Sequence, residues 1–209
     1  MPGRPWFLRN QVEAATRDVR ENESPKNKLI IVLGWAGLVK RGDNDAMLRD
    51  KNLVPLSHQH QHALALCVRI DRTLNHGSGE LETWQAEVER QFHDEIRYHF
   101  EVEEKYLFPQ ALLFPELAGL VDELVREHNS LRRAFERART RTMDSADLQR
   151  FVVALSEHIR KEERQLFEGL QQRLSEEELR MLGTQIEDYF RNSGMPGATC
   201  AAPIPRTPE

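Results

Sequence analysis

Cysteine is nearly missing from this chain: Cys67 and Cys200 are the two in 209 residues. They show no paired spacing and no C-x-x-C, which excludes a zinc–thiolate site and a disulfide framework. A reducing cytoplasm fits that usage. Long hydrophobic runs are missing as well. The apolar stretch at residues 29–39 (LIIVLGWAGLV) is too short to span a bilayer, and no small-residue cleavage site accompanies it. It reads as a short strand or a buried helical turn docking on the main domain. Positive charge is not in excess either. The formal net charge is -5 and the pI about 5.9, which argues against nucleic acid or an anionic membrane as the main partner. The basic run around residues 132–141 lies among mixed charges and reads as a solvated helix face. None of the eight histidines has a Glu three residues before it, so the E-x-x-H pairs of ferritin-like di-iron bundles are absent. H-E-x-x-H is absent too, and with it the zincin signature.

Charged residues at 30% and hydrophobic residues at 39% suit a soluble, helix-rich chain. The length allows one domain with a real core plus appendages. Apolar residues recur every three or four positions along four segments. The first runs over about 53–75, striped by Leu56, His60, Ala63, Cys67, Ile70 and Leu74. The second, about 80–108, carries Leu81, Trp84, Val88, Phe92, Glu95, His99, Glu103 and Tyr106. The third, about 116–140, carries Leu117, Val121, Leu124, His128, Leu131 and Phe135. The fourth, capped by Asp144 or Ser145, carries Leu148, Phe151, Leu155, His158 and Glu162. A capping box at Ser175–Glu178 opens a short fifth helix to about residue 191. The predicted fold is all-α: an antiparallel up-down-up-down four-helix bundle with a short C-terminal helix. Residues 1–46 are expected to be an extension, partly disordered or docked. Residues 47–191 form the bundle, and residues 192–209, rich in Pro and Gly, form a disordered tail.

One pattern occurs twice. His99 to Phe108 reads H-F-x-x-E-E-x-x-L-F, and His158 to Phe167 reads H-I-x-x-E-E-x-x-L-F. Each copy sets a His and a Glu four residues apart, on one helix face. His60, His99, Glu103, His128, His158 and Glu162 all stand where a core helix would place Leu or Val. A single such His is ordinarily a hydrogen-bonded core residue, and a single His/Glu pair a surface ion pair. Six across four helices call for a cation, because two buried carboxylates repel each other and desolvate badly. Imidazole and carboxylate without thiolate favour iron or manganese over structural zinc. Glu104 and Glu163 fall roughly 100° round the helix from Glu103 and Glu162, which suits solvent or a supporting role. Glu127 is placed to orient a ligand. His58, His62, His76 and His93 read as exposed or partly exposed. Tyr106 lies on the His99 face and reads as core packing.

These residues resemble the haemerythrin-like (HHE cation-binding) domain family. The likeness rests on L-S-x-x-H at residues 56–60, H-F-x-x-E-E-x-x-L-F-P at 99–109, E-H at 127–128 and H-I-x-x-E-E-x-x-L-F at 158–167. The resemblance implies a four-helix bundle around two non-haem iron ions. The ligands would be His60, His99, His128 and His158, with Glu103 and Glu162 bridging. Oxygen-carrying members place a second His one turn after the third-helix ligand; here that residue is Arg132. Four His, two bridging Glu and a shared oxygen bridge leave roughly two of about 12 octahedral positions open, where a five-His carrier leaves one. A more open centre favours reaction or exchange over protected carriage. The implied function is binding of, or reaction with, O2, peroxide or NO, as a sensor, scavenger or weak oxidase. The alternative is an iron sensor, store or donor, including repair of iron–sulfur centres, without catalysis of its own. No cysteine precedes Cys67, which weighs against a cysteine-bearing N-terminal repair module.

Overall fold

The structure is a computed structural model and describes residues 48–76 and 80–196. Residues 1–46, with the apolar run at 29–39, lie outside the described residues, as do residues 197–209. The described residues are helical, with no strand among them. No helix among them is long and apolar enough to cross a membrane. Helix α1 is Val54–Asn75, with Pro55 in its first turn, where a missing N–H is harmless. Helix α2 occupies residues 81–111. It starts as Leu81–Gln91, passes through a π turn at Phe92–Ile96, resumes as Arg97–Val102, enters a second π turn at Glu103–Leu107 and closes with Phe108–Ala111. Helix α3 is Pro115–Arg139. Helix α4 occupies residues 145–173, as Ser145–Lys161, a π turn at Glu162–Phe167, and Glu168–Arg173. Helix α5 is Glu176–Asn192.

The helix ends follow local chemistry. Asp144 caps α4 in a capping box with Asp147, and Ser175 caps α5 with Glu178. The second segment was predicted to end near residue 108, yet the helix runs on through Pro109 to Ala111. The proline sits in the first turn of the α stretch that follows the π turn, a position that tolerates it.

Helix α1 packs on α4, α2 packs on α3, and α3 also meets α4. The buried side chains fall into two apolar clusters. One holds Leu56, Val102, Leu107, Leu124 and Leu166; the other holds Ala63, Ile96, Phe100, Leu131 and Leu155. Between them each of the four long helices contributes buried imidazole or carboxylate. Helices α1 and α3 pass from the first cluster to the second along the chain, and α2 and α4 pass from the second to the first. Helix α5 covers the first cluster with Leu179, Leu182, Ile186 and Phe190. Its Gly183 lies so close to the start of α1 that a Cβ there would sit 2.7 Å from Asn52 Cβ.

Candidate metal centre

His60, His99, Glu103, His128, His158 and Glu162 meet between the two clusters, each at most 3% exposed. His60 Nε2 lies 2.9 Å from His99 Nε2 and 3.1 Å from Glu162 Oε2. His99 Nε2 lies 3.3 Å from Glu103 Oε1. On the other side, His128 Nε2 is 3.4 Å from Glu103 Oε2 and 3.5 Å from Glu162 Oε1, and His158 Nε2 is 3.0 Å from Glu162 Oε1. Two donor groups result, each able to hold one ion: His60, His99, Glu103 and Glu162, and Glu103, His128, His158 and Glu162. Both carboxylates belong to both groups. In each group the donor atoms all lie within 4.8 Å of one another.

The outward nitrogens explain the inward ones. Each Nδ1 meets an acceptor: Glu163 Oε1 at 2.7 Å from His60, Gln59 Oε1 at 2.8 Å from His99, Glu104 Oε1 at 2.8 Å from His128 and Glu127 Oε2 at 2.9 Å from His158. An acceptor at Nδ1 commits the ring proton there and leaves the Nε2 lone pair pointing inward. In that neutral form, nitrogen and oxygen lone pairs face one another. Both oxygens of Glu103 and of Glu162, and Nε2 of His128 and His158, have no hydrogen-bond partner despite full burial. Buried polar atoms are seldom left so. A cation satisfies the whole set at once, so the residues fit a metal ion on the chemistry of the donors themselves.

A further layer fixes the acceptors. Arg49 Nη2 donates to Glu163 Oε2 at 2.7 Å. Arg132 donates twice to Glu104, at 2.7 and 3.0 Å. Lys161 donates to Glu127 and Glu123. Gln59 Nε2 donates to Met195 Sδ at 3.3 Å. Phe100 stacks on the His128 ring with 3.8 Å between centroids, and Phe167 stacks on His60 at 5.5 Å.

Without a cation the carboxylates draw protons onto the imidazoles. Burial lowers the pKa of His60, but hydrogen bonds with Glu162 and Glu163 outweigh it and lift it to about 9. Burial likewise lowers His128, and Glu103, Glu104 and Glu162 together lift it to about 11. His158 is raised against burial by Glu162 and Glu127. Burial pushes Glu162 up, yet the His158 charge and bonds from three imidazoles hold it well below the usual carboxylate range.

The sequence placed Glu104, Glu163 and Glu127 near the centre without their partners; each backs one imidazole. Arg49, Gln59, Lys161 and Met195 escaped notice, because none lies on an apolar stripe with an unusual residue type. Tyr106, read as core packing, is half-buried against the first apolar cluster and meets Tyr189 with 6.2 Å between ring centroids. The π turn at Glu103 adds a residue to the helical turn, so Leu107 and Phe108 take the buried face. His58, His62, His76 and His93 are exposed, and His62 pairs with Glu95 at 2.8 Å.

A small cavity adjoins the donors, lined by Gln59, His60, His99, His158 and Glu162 together with apolar residues that include Ala63, Ile96, Leu155 and Ile159. Its volume of about 10 Å³ is close to one water-sized probe. No curated protein and no solved structure matches this chain. Residues 54–170, which carry all six inward side chains, match the Hemerythrin HHE cation binding domain, and the chain belongs to that family.

Proposed function

We propose that the chain binds two non-haem iron ions and, through them, binds or reacts with a small ligand: O2, peroxide or NO. The reading rests above all on the orphaned inward atoms of Glu103, Glu162, His128 and His158. His60 and His99 would hold one ion and His128 and His158 the other, with Glu103 and Glu162 shared. Ferrous iron held by these residues would supply electrons to such a ligand. The chain's residues do the rest. The carboxylates and Gln59 hold each imidazole in its Nδ1–H form. Phe100 and Phe167 fix the ring planes. Ala63, Ile96, Leu155 and Ile159 admit a small apolar ligand and hold back bulk water. Manganese is the other metal that this donor set suits.

The alternation of the two clusters along successive helices supports an up-down-up-down bundle, with α5 laid over one end. Cys67 is fully buried and its thiol is pushed up to about 12 by burial, which makes it inert. A cytoplasmic setting suits a free buried thiol.

The test is elemental analysis of purified protein, followed by anaerobic iron loading and exposure to O2, peroxide and NO. Two iron atoms per chain and a new charge-transfer band, lost in His99→Ala, are expected. Two ions with no optical response to any of the three would leave only storage or sensing. No bound metal would remove the reading.

A further inference from the structure

The layer behind the imidazoles repeats between the two halves of the bundle. Glu163, in the motif of α4, backs His60 of α1; Glu104, in the same motif of α2, backs His128 of α3. Arg49 then braces Glu163, and Arg132 braces Glu104. The residue just before the α1 imidazole, Gln59, backs His99; the residue just before the α3 imidazole, Glu127, backs His158. The groups that touch the imidazoles correspond one for one, with one change of chemistry. Where one half has a carboxylate, the other has a carboxamide.

That change is held in place. Met195 Sδ offers no proton, so the Gln59 amide group must face it and the carbonyl oxygen must face His99 Nδ1. Gln59 is 7% exposed and cannot exchange partners with water freely. A neutral acceptor draws less charge onto the imidazole than a carboxylate does, so His99 is the weakest donor of the four. The ion at the His60 and His99 position therefore has the poorer ligand set.

We infer that the two metal positions are unequal: the one held by His60 and His99 fills last and empties first, and Gln59 sets the difference. The inference rests on the two-ion reading above and adds an order of loading and release to it. A readily lost ion at one position lets the centre pass between one and two ions as supply changes.

The experiment is anaerobic titration of the full-length chain with Mn(II), followed by calorimetry and by the EPR change from isolated to coupled ions. Two steps are expected, separated by about 10-fold to 100-fold, the range that partners behind a metal ligand command. Gln59→Glu should tighten the second step about 10-fold and draw the two together. Gln59→Met, which keeps the volume and removes the acceptor, should weaken the second step further and leave the first in place. Glu127→Gln should instead weaken the first step. Circular dichroism and thermal melting establish that each variant is folded; if Gln59→Glu fails there, Gln59→Met and Glu127→Gln carry the test. Two ions bound with equal affinity in the wild type, unmoved by either change at Gln59, would overturn the inequality and leave the two-ion reading standing. Failure to bind Mn(II) and iron alike would end both.

Discussion

In the metal-free chain, protons occupy the ground between imidazole and carboxylate. His60 and His128 titrate at about 9 and about 11, so near neutral pH both rings are doubly protonated. A ring can bind a cation through Nε2 only after losing that proton. Filling the centre at pH 7–8 therefore expels about two protons from these two rings. The carboxylates add none, because Glu103 and Glu162 are already ionised. With about two protons released, the overall binding constant rises about 100-fold per pH unit, or roughly 2.7 kcal/mol. Calorimetric titration in two buffers of different ionisation enthalpy counts the protons directly. Competition against a chromophoric chelator at pH 6.5, 7.5 and 8.5 reads the slope. Release below one proton, or an affinity flat across that range, would refute the account of these side chains. The same shifts set the stability of the metal-free chain. A folded-state pKa of about 9 for His60, against about 6.5 unfolded, contributes at most about 3 kcal/mol. That contribution is complete below pH 6.5 and is lost as pH rises through 9, so metal-free protein should melt lower at pH 9 than at pH 6.5. Metal-loaded protein should show the weaker pH dependence of the two.

Other consequences are open to simple measurement. Phe100→Ala removes a fully buried ring that stacks on His128 and meets Phe135, and should lower unfolding stability by about 3–5 kcal/mol in urea melts. A loss under 1 kcal/mol would contradict the packing described. Gly183→Ala forces a methyl against Asn52 at 2.7 Å, and should destabilise by about 1–3 kcal/mol through separation of α5 from the start of α1. An unchanged melting temperature would mean that this approach is looser than it stands here. Arg132→Ala frees Glu104 on one side; both side chains are a third exposed, so stability should change by less than about 1 kcal/mol. Metal affinity should fall by up to about 10-fold, because Glu104 still backs His128 but is less firmly held. Outright loss of one ion in this variant would assign Arg132 a larger role.

The inner residues were readable because they break a rule. Along the four long helices the core stripe is mostly Leu, Ile, Val, Phe and Ala until a His or Glu interrupts it, and a duplicated motif marks the interruptions in α2 and α4. Their supports were harder to read for a geometrical reason. Sequence periodicity assumes 3.6 residues per turn, which sets Glu104 and Glu163 well round the helix from their neighbours. The π turns that open at Glu103 and Glu162 widen the spacing, so one carboxylate enters the centre while the next backs an imidazole on another helix. No residue type announces a π turn. Arg49 and Met195 were out of reach altogether: each lies beyond the periodic segments, and only tertiary contact gives it a role.

Those two residues bear on how the protein can be handled. A fragment trimmed to the family outline would keep every inward donor and still be an incomplete binder. It would discard Arg49, which steadies the carboxylate behind one imidazole, and the sulfur that fixes the Gln59 amide. It would also strip away α5, whose Leu179, Leu182, Ile186 and Phe190 belong to the first apolar cluster. Expression of residues 48–196 should therefore yield a better-behaved, tighter-binding sample than the shorter piece, and the capacity to hold metal is spread beyond the segment that advertises it.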